Sequence, residues 1–350
     1  MTGKKAANRN DILNKIRATG RKKLNPESLA KEVLANNRVA LSQAITLVES
    51  NSEKDEAAAA ELLRILLPHS GKSVRIAISG VPGAGKSTFI EAYGKFLINQ
   101  GFKVAVLAID PSSEVAGGSI LGDKTRMNIL ASDPNAFIRP SPNSGNAGGV
   151  ARRTRECIFL CEAAGYEYIL VETVGVGQSE TAARSMVDVF MLLGIAGAGD
   201  ELQGIKRGIM EMADIVVINK ADGDNLGRAK AARQEIQRSL HLFPHTDSGW
   251  VPRAGICSST EGTGIAEINR WITEFLELVN LSGYYKDNRA RQAVWWFRES
   301  IRERLLNDFR HSVPASTMEK LAEDVKEGLI SVSEATSTAM KIYRENINQG

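Results

Sequence analysis

The sequence predicts an α/β fold, a doubly wound and mostly parallel sheet with helical extensions at both ends. Three observations predict it. Short β-branched runs alternate with helix-period stretches across residues 72–282. A glycine-rich turn, Gly80–Thr88, follows the first of those runs and opens a helix. The flanking zones carry helical periodicity and no strand pattern. Alternation of this length folds as a parallel sheet covered on both faces, with ligands beyond the carboxyl ends of its strands.

Each element has a local reason. Pro26 followed by Glu27 predicts a helix start. Val39, Leu41, Ala44, Ile45 and Val48 recur at helical spacing, as does the Ala57–Leu67 run, and Pro68-His69-Ser70-Gly71 stops the zone. Strands are expected over Val74–Ser79, Val104–Asp110, Tyr168–Glu172, Val187–Leu193, Ile215–Asn219 and Arg253–Ser258. Helices are expected over Lys86–Gln100, Ala151–Ala164 and Leu226–Leu240. Asp287–Arg310 reads as one amphipathic helix bearing Trp295, Trp296 and Phe297; Pro314 interrupts it, and Met318–Gly328 and Val332–Asn346 read as two more. That aromatic stripe covers either the chain's own core or a dimer interface. The organisation is a helical arm over 1–70, a nucleotide domain over 71–282 and a helical region over 283–350.

Composition narrows the function classes. In 350 residues, 43% are hydrophobic and 24% charged, which excludes a disordered or fibrous chain. Lys plus Arg number 44 against 41 for Asp plus Glu, so a net charge of +3 makes no electrostatic case for nucleic acid or an acidic membrane. Three cysteines cannot build a disulfide framework and fit a reducing compartment. No apolar run approaches the ~20 residues that span a bilayer. The basic start lacks an apolar h-region, and Asp11 and the shortage of serine count against a mitochondrial presequence. The cytoplasm is expected, or the mitochondrial matrix in a eukaryote.

The turn Gly80-Val81-Pro82-Gly83-Ala84-Gly85-Lys86-Ser87-Thr88 matches G-x-x-x-x-G-K-[ST] in full. Its glycines let successive backbone N–H groups face an anion, and the helix N-terminus adds partial positive charge. Lys86 reaches the terminal phosphates and the Ser87 hydroxyl binds Mg²⁺. Asp110 and Glu172, acids at strand carboxyl ends, face the same metal.

Asn219-Lys220-Ala221-Asp222 supplies N-K-x-D after another strand. A carboxylate at Asp222 accepts from guanine's ring N–H and exocyclic amine, a donor pair that adenine lacks. The Lys220 stem lies along the base plane, and Asn219 braces the loop. Cys257-Ser258-Ser259 resembles the segment that closes the guanine pocket in GTPases. The nucleotide is read as GTP, with GDP as product.

Glu172–Glu180 (ETVGVGQSE) departs from the D-x-x-G pattern of Ras-like proteins, and Gln178 lies three residues after Gly175, so it is not assigned to the attacking water. This nonapeptide, with Asp110-Pro111-Ser112-Ser113 and Gly197–Lys206 (GAGDELQGIK), closely resembles the MeaB/ArgK family of P-loop GTPases, of the SIMIBI class. The resemblance runs from about residue 30 to 310. It implies slow GTP hydrolysis, quickened by an adenosylcobalamin-dependent acyl-CoA mutase. It also implies gating of cofactor delivery to that mutase, protection of the mutase, and a homodimer formed through C-terminal helices. By motif match, Ser87, Asp110, Asp123 and Glu172 would surround Mg²⁺, and Asp200 and Lys206 would be the charged members of a third switch. Two alternatives stay open: a kinase or ATPase linked to basic amino-acid transport, and a metal-insertion GTPase.

Gly- and Ser-rich stretches at 111–122, 141–149 and 194–204 are candidate switch loops. Cys157 with Cys161, and His241 with His245, have metal-compatible spacing but read as packed thiols and a helix-end histidine. Arg152, Arg153 and Arg155 read as a solvated face. The basic stretch 1–23 reads as a tail, and no D-x-H-x-x-G cobalamin signature occurs.

Overall fold

A computed structural model describes residues 25–50, 52–109, 127–139, 147–173, 179–196, 207–243 and 246–347. Backbone packing divides the chain into two compact units, the first ending at Tyr285 and the second beginning at Lys286.

The first unit opens with three helices, α1 (Pro26–Leu34), α2 (Arg38–Val48) and α3 (Glu53–Leu66). Pro26 stands in the first turn of α1, and the Asn25 side chain accepts from the N–H of Glu27 and of Ser28. Asn37 caps α2 in the same way. Ala40, Leu41, Ala44, Ile45 and Val48 form its buried face, whereas Val39 falls off that stripe and is 66% exposed. These helices pack on one another and on α6 (Ala147–Ala163). The Glu49 carboxylate pairs with Arg139.

The sheet has seven strands: β1 (Val74–Gly80), β2 (Val104–Ile109), β3 (Ala136–Arg139), β4 (Tyr168–Thr173), β5 (Val189–Ile195), β6 (Ile215–Asn219) and β7 (Arg253–Ile256). Their order is β3-β2-β4-β1-β5-β6-β7, and every pairing is parallel. Strands β4 to β6 are buried at nearly every position, as expected of a parallel sheet covered on both faces. Helix α4 (Lys86–Asn99) packs on β1, β2 and β4, and α7 (Ser179–Arg184) packs on β1, β4 and β5. Helix α9 (Leu226–Leu240) lies on β6 and β7, and α10 (Ile265–Leu281) contacts α4. Two short helices complete this unit, α5 (Asn128–Ser132) and α8 (Arg207–Met212).

Several sequence readings shift. The strand expected at Val187 starts at Val189, because Asp188 instead accepts the Arg75 backbone N–H at 2.9 Å. The last strand stops at Ile256, and Ser258 pairs in an isolated bridge with Thr263. Strand β3 was not anticipated. Helix α6 begins four residues before Ala151. The solvated reading of the arginines fails at Arg153, which is buried, while Arg155 lies over the Phe159 ring at 4.8 Å and burial lowers its pKa to about 10. Cys157 and Cys161 are buried thiols whose pKa values burial pushes up.

At the amino end of the strands, Arg75 pairs with Glu162 of α6 at 2.8 Å, both side chains nearly inaccessible. The same carboxylate accepts from the Gly71 N–H and the Ser73 hydroxyl. Arg184 of α7 pairs with buried Asp214 at 2.6 Å, and the Phe190 N–H donates to that carboxylate. These pairs anchor the layer of α6 and α7 to the sheet.

The second unit contains most of α11 (Tyr284–Ser312), with α12 (Ala315–Lys326) and α13 (Val332–Ile347). Helix α11 starts three residues before Asp287, and Pro314 caps α12, which begins three residues before Met318. Helices α12 and α13 pack together, and Phe309 meets Tyr343 at 5.4 Å between ring centroids. Of the aromatic triplet, Trp296 is buried and Phe297 is 65% exposed. Among the described residues, no helix is long and apolar enough to cross a membrane.

Candidate nucleotide site

The site lies at the carboxyl edge of the sheet beside β1, from which the chain moves to β2 on one side, before crossing from β4 to β5 on the other. Such a reversal opens a crevice between neighbouring loops. Residues 80–85 join β1 to α4 there. Gly80 has φ +149°, and a Cβ on it would run into the Leu193 carbonyl of β5. Gly85 has φ +83° and forms the N-cap of α4, so only glycine enters the helix there without strain. Ala84 is buried; Gly83 and Thr88 are exposed.

The Lys86 ammonium donates to the carbonyl of Gly80 at 2.8 Å and of Val81 at 3.3 Å, folding its side chain back over the loop. Burial lowers its pKa, while the carboxylates of Glu172 and Glu180 act in the opposite sense. The Ser87 hydroxyl donates to Glu172 Oε1 at 2.9 Å, joining the first turn of α4 to the end of β4. The sequence-predicted pair Ser87 and Glu172 therefore does come together. Asp110, Asp123, Asp200 and Lys206 lie outside the described residues, as do Gln178 and most of the candidate switch loops.

The second loop starts at Asn219. Its Nδ2 donates to the Ala84 carbonyl at 2.9 Å, and its Oδ1 accepts from the Ser259 hydroxyl at 2.8 Å and the Ser259 N–H at 3.2 Å. Asn219 thus braces three segments with one amide. Lys220 sits at φ +58°, a left-handed conformation that costs a non-glycine residue about 1–3 kcal/mol. Asn225 Nδ2 holds it by donating to its carbonyl at 2.7 Å, and the next N–H, of Ala221, donates to Cys257 O at 2.9 Å. The Asp222 carboxylate accepts from Ser258 Oγ at 2.5 Å and Thr260 Oγ1 at 3.2 Å.

All the predicted residues of 80–88, 219–222 and 258–259 gather at this edge. Cys257 and Thr260 were not singled out for roles of their own. The Cys257 thiol donates to Asn219 Oδ1 at 3.3 Å, and burial raises its pKa to about 12, which keeps it a neutral donor. The run of hydroxyls from Ser258 to Thr260 was the available signal for Thr260.

A glycine-rich loop before a helix, linked through Asn219 to an N-K-x-D loop on a parallel sheet, defines a P-loop GTPase. The model of the family described as methylmalonyl Co-A mutase-associated GTPase MeaB matches residues 41–313, and the chain belongs to this family. It is 50% identical to GTPase ArgK of Escherichia coli over 287 residues, covering 81% of this chain and 87% of that protein. It is 45% identical to the mouse methylmalonic aciduria type A homolog, mitochondrial, over 323 residues, covering 89% and 78% of the two chains. A crystal structure of a LAO/AO transport system kinase superposes with TM-score 0.72 at 38% identity, covering 92% of this chain and 99% of that one.

Proposed function

We propose that this GTPase is a chaperone of an adenosylcobalamin-dependent acyl-CoA mutase, methylmalonyl-CoA mutase by the family description, and that its nucleotide cycle gates cofactor loading and protects the mutase. The match of the mutase-associated family model across residues 41–313 carries this reading.

The residues divide the work of hydrolysis. Backbone N–H groups of 83–88 and the Lys86 ammonium hold the phosphates and balance charge that develops on them. Asp222 reads guanine, with Ser258 and Thr260 fixing its carboxylate. Asn219, Lys220 and Ser259 hold the base loop in register with the phosphate loop. Ser87 and Glu172 place a hydroxyl and a carboxylate oxygen 2.9 Å apart, the hard-oxygen donor set that suits Mg²⁺, with Asp110 and Asp123 as further ligands. When bound, the metal neutralises phosphate charge. Asp200 and Lys206 relay nucleotide state to the mutase.

The helical region over 283–350 serves as a homodimer interface, supported by Phe297, Leu305 and Leu306 of α11, each more than half exposed. The cytoplasm fits a cysteine content without a disulfide framework, and the mitochondrial matrix is the counterpart in a eukaryote.

GTP turnover measured with and without purified methylmalonyl-CoA mutase tests the proposal. Stimulation is expected, and its absence with every mutase of the class overturns it. Transfer of labelled phosphoryl to a transport protein would instead favour the kinase reading that the name of the solved relative suggests.

A further inference from the structure

Two buried hydroxyls at the carboxyl edge, Ser79 Oγ of β1 and Thr173 Oγ1 of β4, have no hydrogen-bond partner among the described residues. Both residues are 0% exposed. Ile78 stands opposite Glu172 in the pairing of β1 with β4. Ser79 and Thr173 are the next residues along each strand, so their side chains share the face opposite Glu172. Arg75, which alternates onto that same face, meets Glu162 of α6, so this is the face that α6 and α7 cover. Helix α7 brings the buried Glu180 to that layer in its first turn. The charge of Glu180 acts on Lys86, which places its carboxylate near the same edge.

A buried hydroxyl without a partner is costly, and valine would fill the site of Thr173 with the same branched shape and no polar atom. The preceding residues of β4, Ile169, Leu170 and Val171, are apolar throughout. Packing therefore does not explain a threonine. Adjacent strands lie about 4.8 Å apart, a gap that one water spans, and internal waters settle where two or more polar groups converge.

We propose that Thr173 and Ser79 are positioning residues for GTP hydrolysis, their hydroxyls sharing a buried water that pins the end of β4 to the root of the phosphate loop. Fixing Thr173 fixes the backbone of Glu172. Fixing Ser79 fixes Gly80, whose carbonyl receives Lys86. The link sets the spacing between the carboxylate and the ammonium that flank the phosphates. It concerns intrinsic hydrolysis and stands whether or not a mutase stimulates the protein.

The test compares Thr173→Val, Thr173→Ser and Ser79→Ala in the full chain, by GTP turnover, GDP titration and thermal melting. Thr173→Val is expected to lower kcat about tenfold with KM, GDP affinity and melting temperature nearly unchanged. Thr173→Ser is expected to restore most of kcat, and Ser79→Ala to lower it. A packing role predicts the reverse order, because serine leaves a larger void than valine. Wild-type kcat in Thr173→Val, equal impairment in Thr173→Ser, or a loss that tracks melting temperature overturns the proposal. Should Thr173→Val fail to fold, wild-type kcat in Ser79→Ala overturns it.

Discussion

The side-chain amide of Asn219, at the end of β6, donates to the backbone carbonyl of Ala84 at 2.9 Å, across the intervening strand β5. The glycine-rich loop and the N-K-x-D loop are therefore one hydrogen-bonded unit. Asn219→Ala is expected to weaken GTP and GDP binding together by about tenfold or more and to lower stability by about 1–3 kcal/mol, since it leaves buried partners unpaired. Calorimetric titration and thermal melts check this, and equal affinities would make the brace dispensable.

Lys86→Ala is expected to reduce turnover by about a hundredfold or more, because it removes the charge that answers negative charge on the transferred phosphoryl group. It also frees the Gly80 and Val81 carbonyls that the ammonium now joins. Single-turnover hydrolysis is the measurement. Lys86→Arg is not expected to rescue, since a planar fork cannot occupy the place of a compact ammonium.

Asp222→Asn is expected to erode preference for guanine, because an amide offers one acceptor and one donor where the base presents two donors. Competition between GTP, ATP and xanthosine triphosphate checks this. Xanthosine triphosphate, with a carbonyl in place of the amine, gains relative to GTP. An unchanged preference would remove Asp222 from base recognition.

Burial alone would raise the Glu162 pKa, but the Arg75 guanidinium, the Ser73 hydroxyl and the Gly71 N–H together hold it below the usual glutamate value. A carboxyl depressed in the folded state adds stability above its unfolded pKa and loses it as pH falls through the folded one. Glu162→Ala is expected to cost about 3–5 kcal/mol at neutral pH, since Arg75 is left buried and unpaired. Denaturant unfolding from pH 7 downward should show the gap to wild type narrowing below about pH 4. A gap independent of pH would mean that the carboxylate's charge contributes nothing.

Lys206→Ala is expected to spare GTP binding and basal hydrolysis and to reduce stimulation by the mutase. Parallel assays with and without mutase separate the two. An equal loss in the isolated protein would place Lys206 in the intrinsic catalytic machinery.

Much of the architecture was legible because its signals are local. The β-branched runs, the Pro26-Glu27 helix start and the two nucleotide motifs each lie within a few residues. Strand β3 escaped because Ala136–Arg139 is four residues long, carries no alternation and is defined by pairing with β2. Helices α5, α7 and α8, of five or six residues, are too short for a period to repeat. The bracing role of Asn219 was legible from its motif; its partner, Ala84, was not, because that bond spans 135 residues. Buried Arg153 was misread for a related reason: charge suggests solvent, and only tertiary packing reveals otherwise.

Gly85 stands where a methyl group would lie 2.8 Å from Asn219 Nδ2. Alanine at this position would therefore act at a distance as well as through its own φ of +83°: the intruding carbon pushes aside the amide on which Ser259 and Ala84 converge. Damage that begins beneath the phosphates would surface as confusion over which purine is admitted.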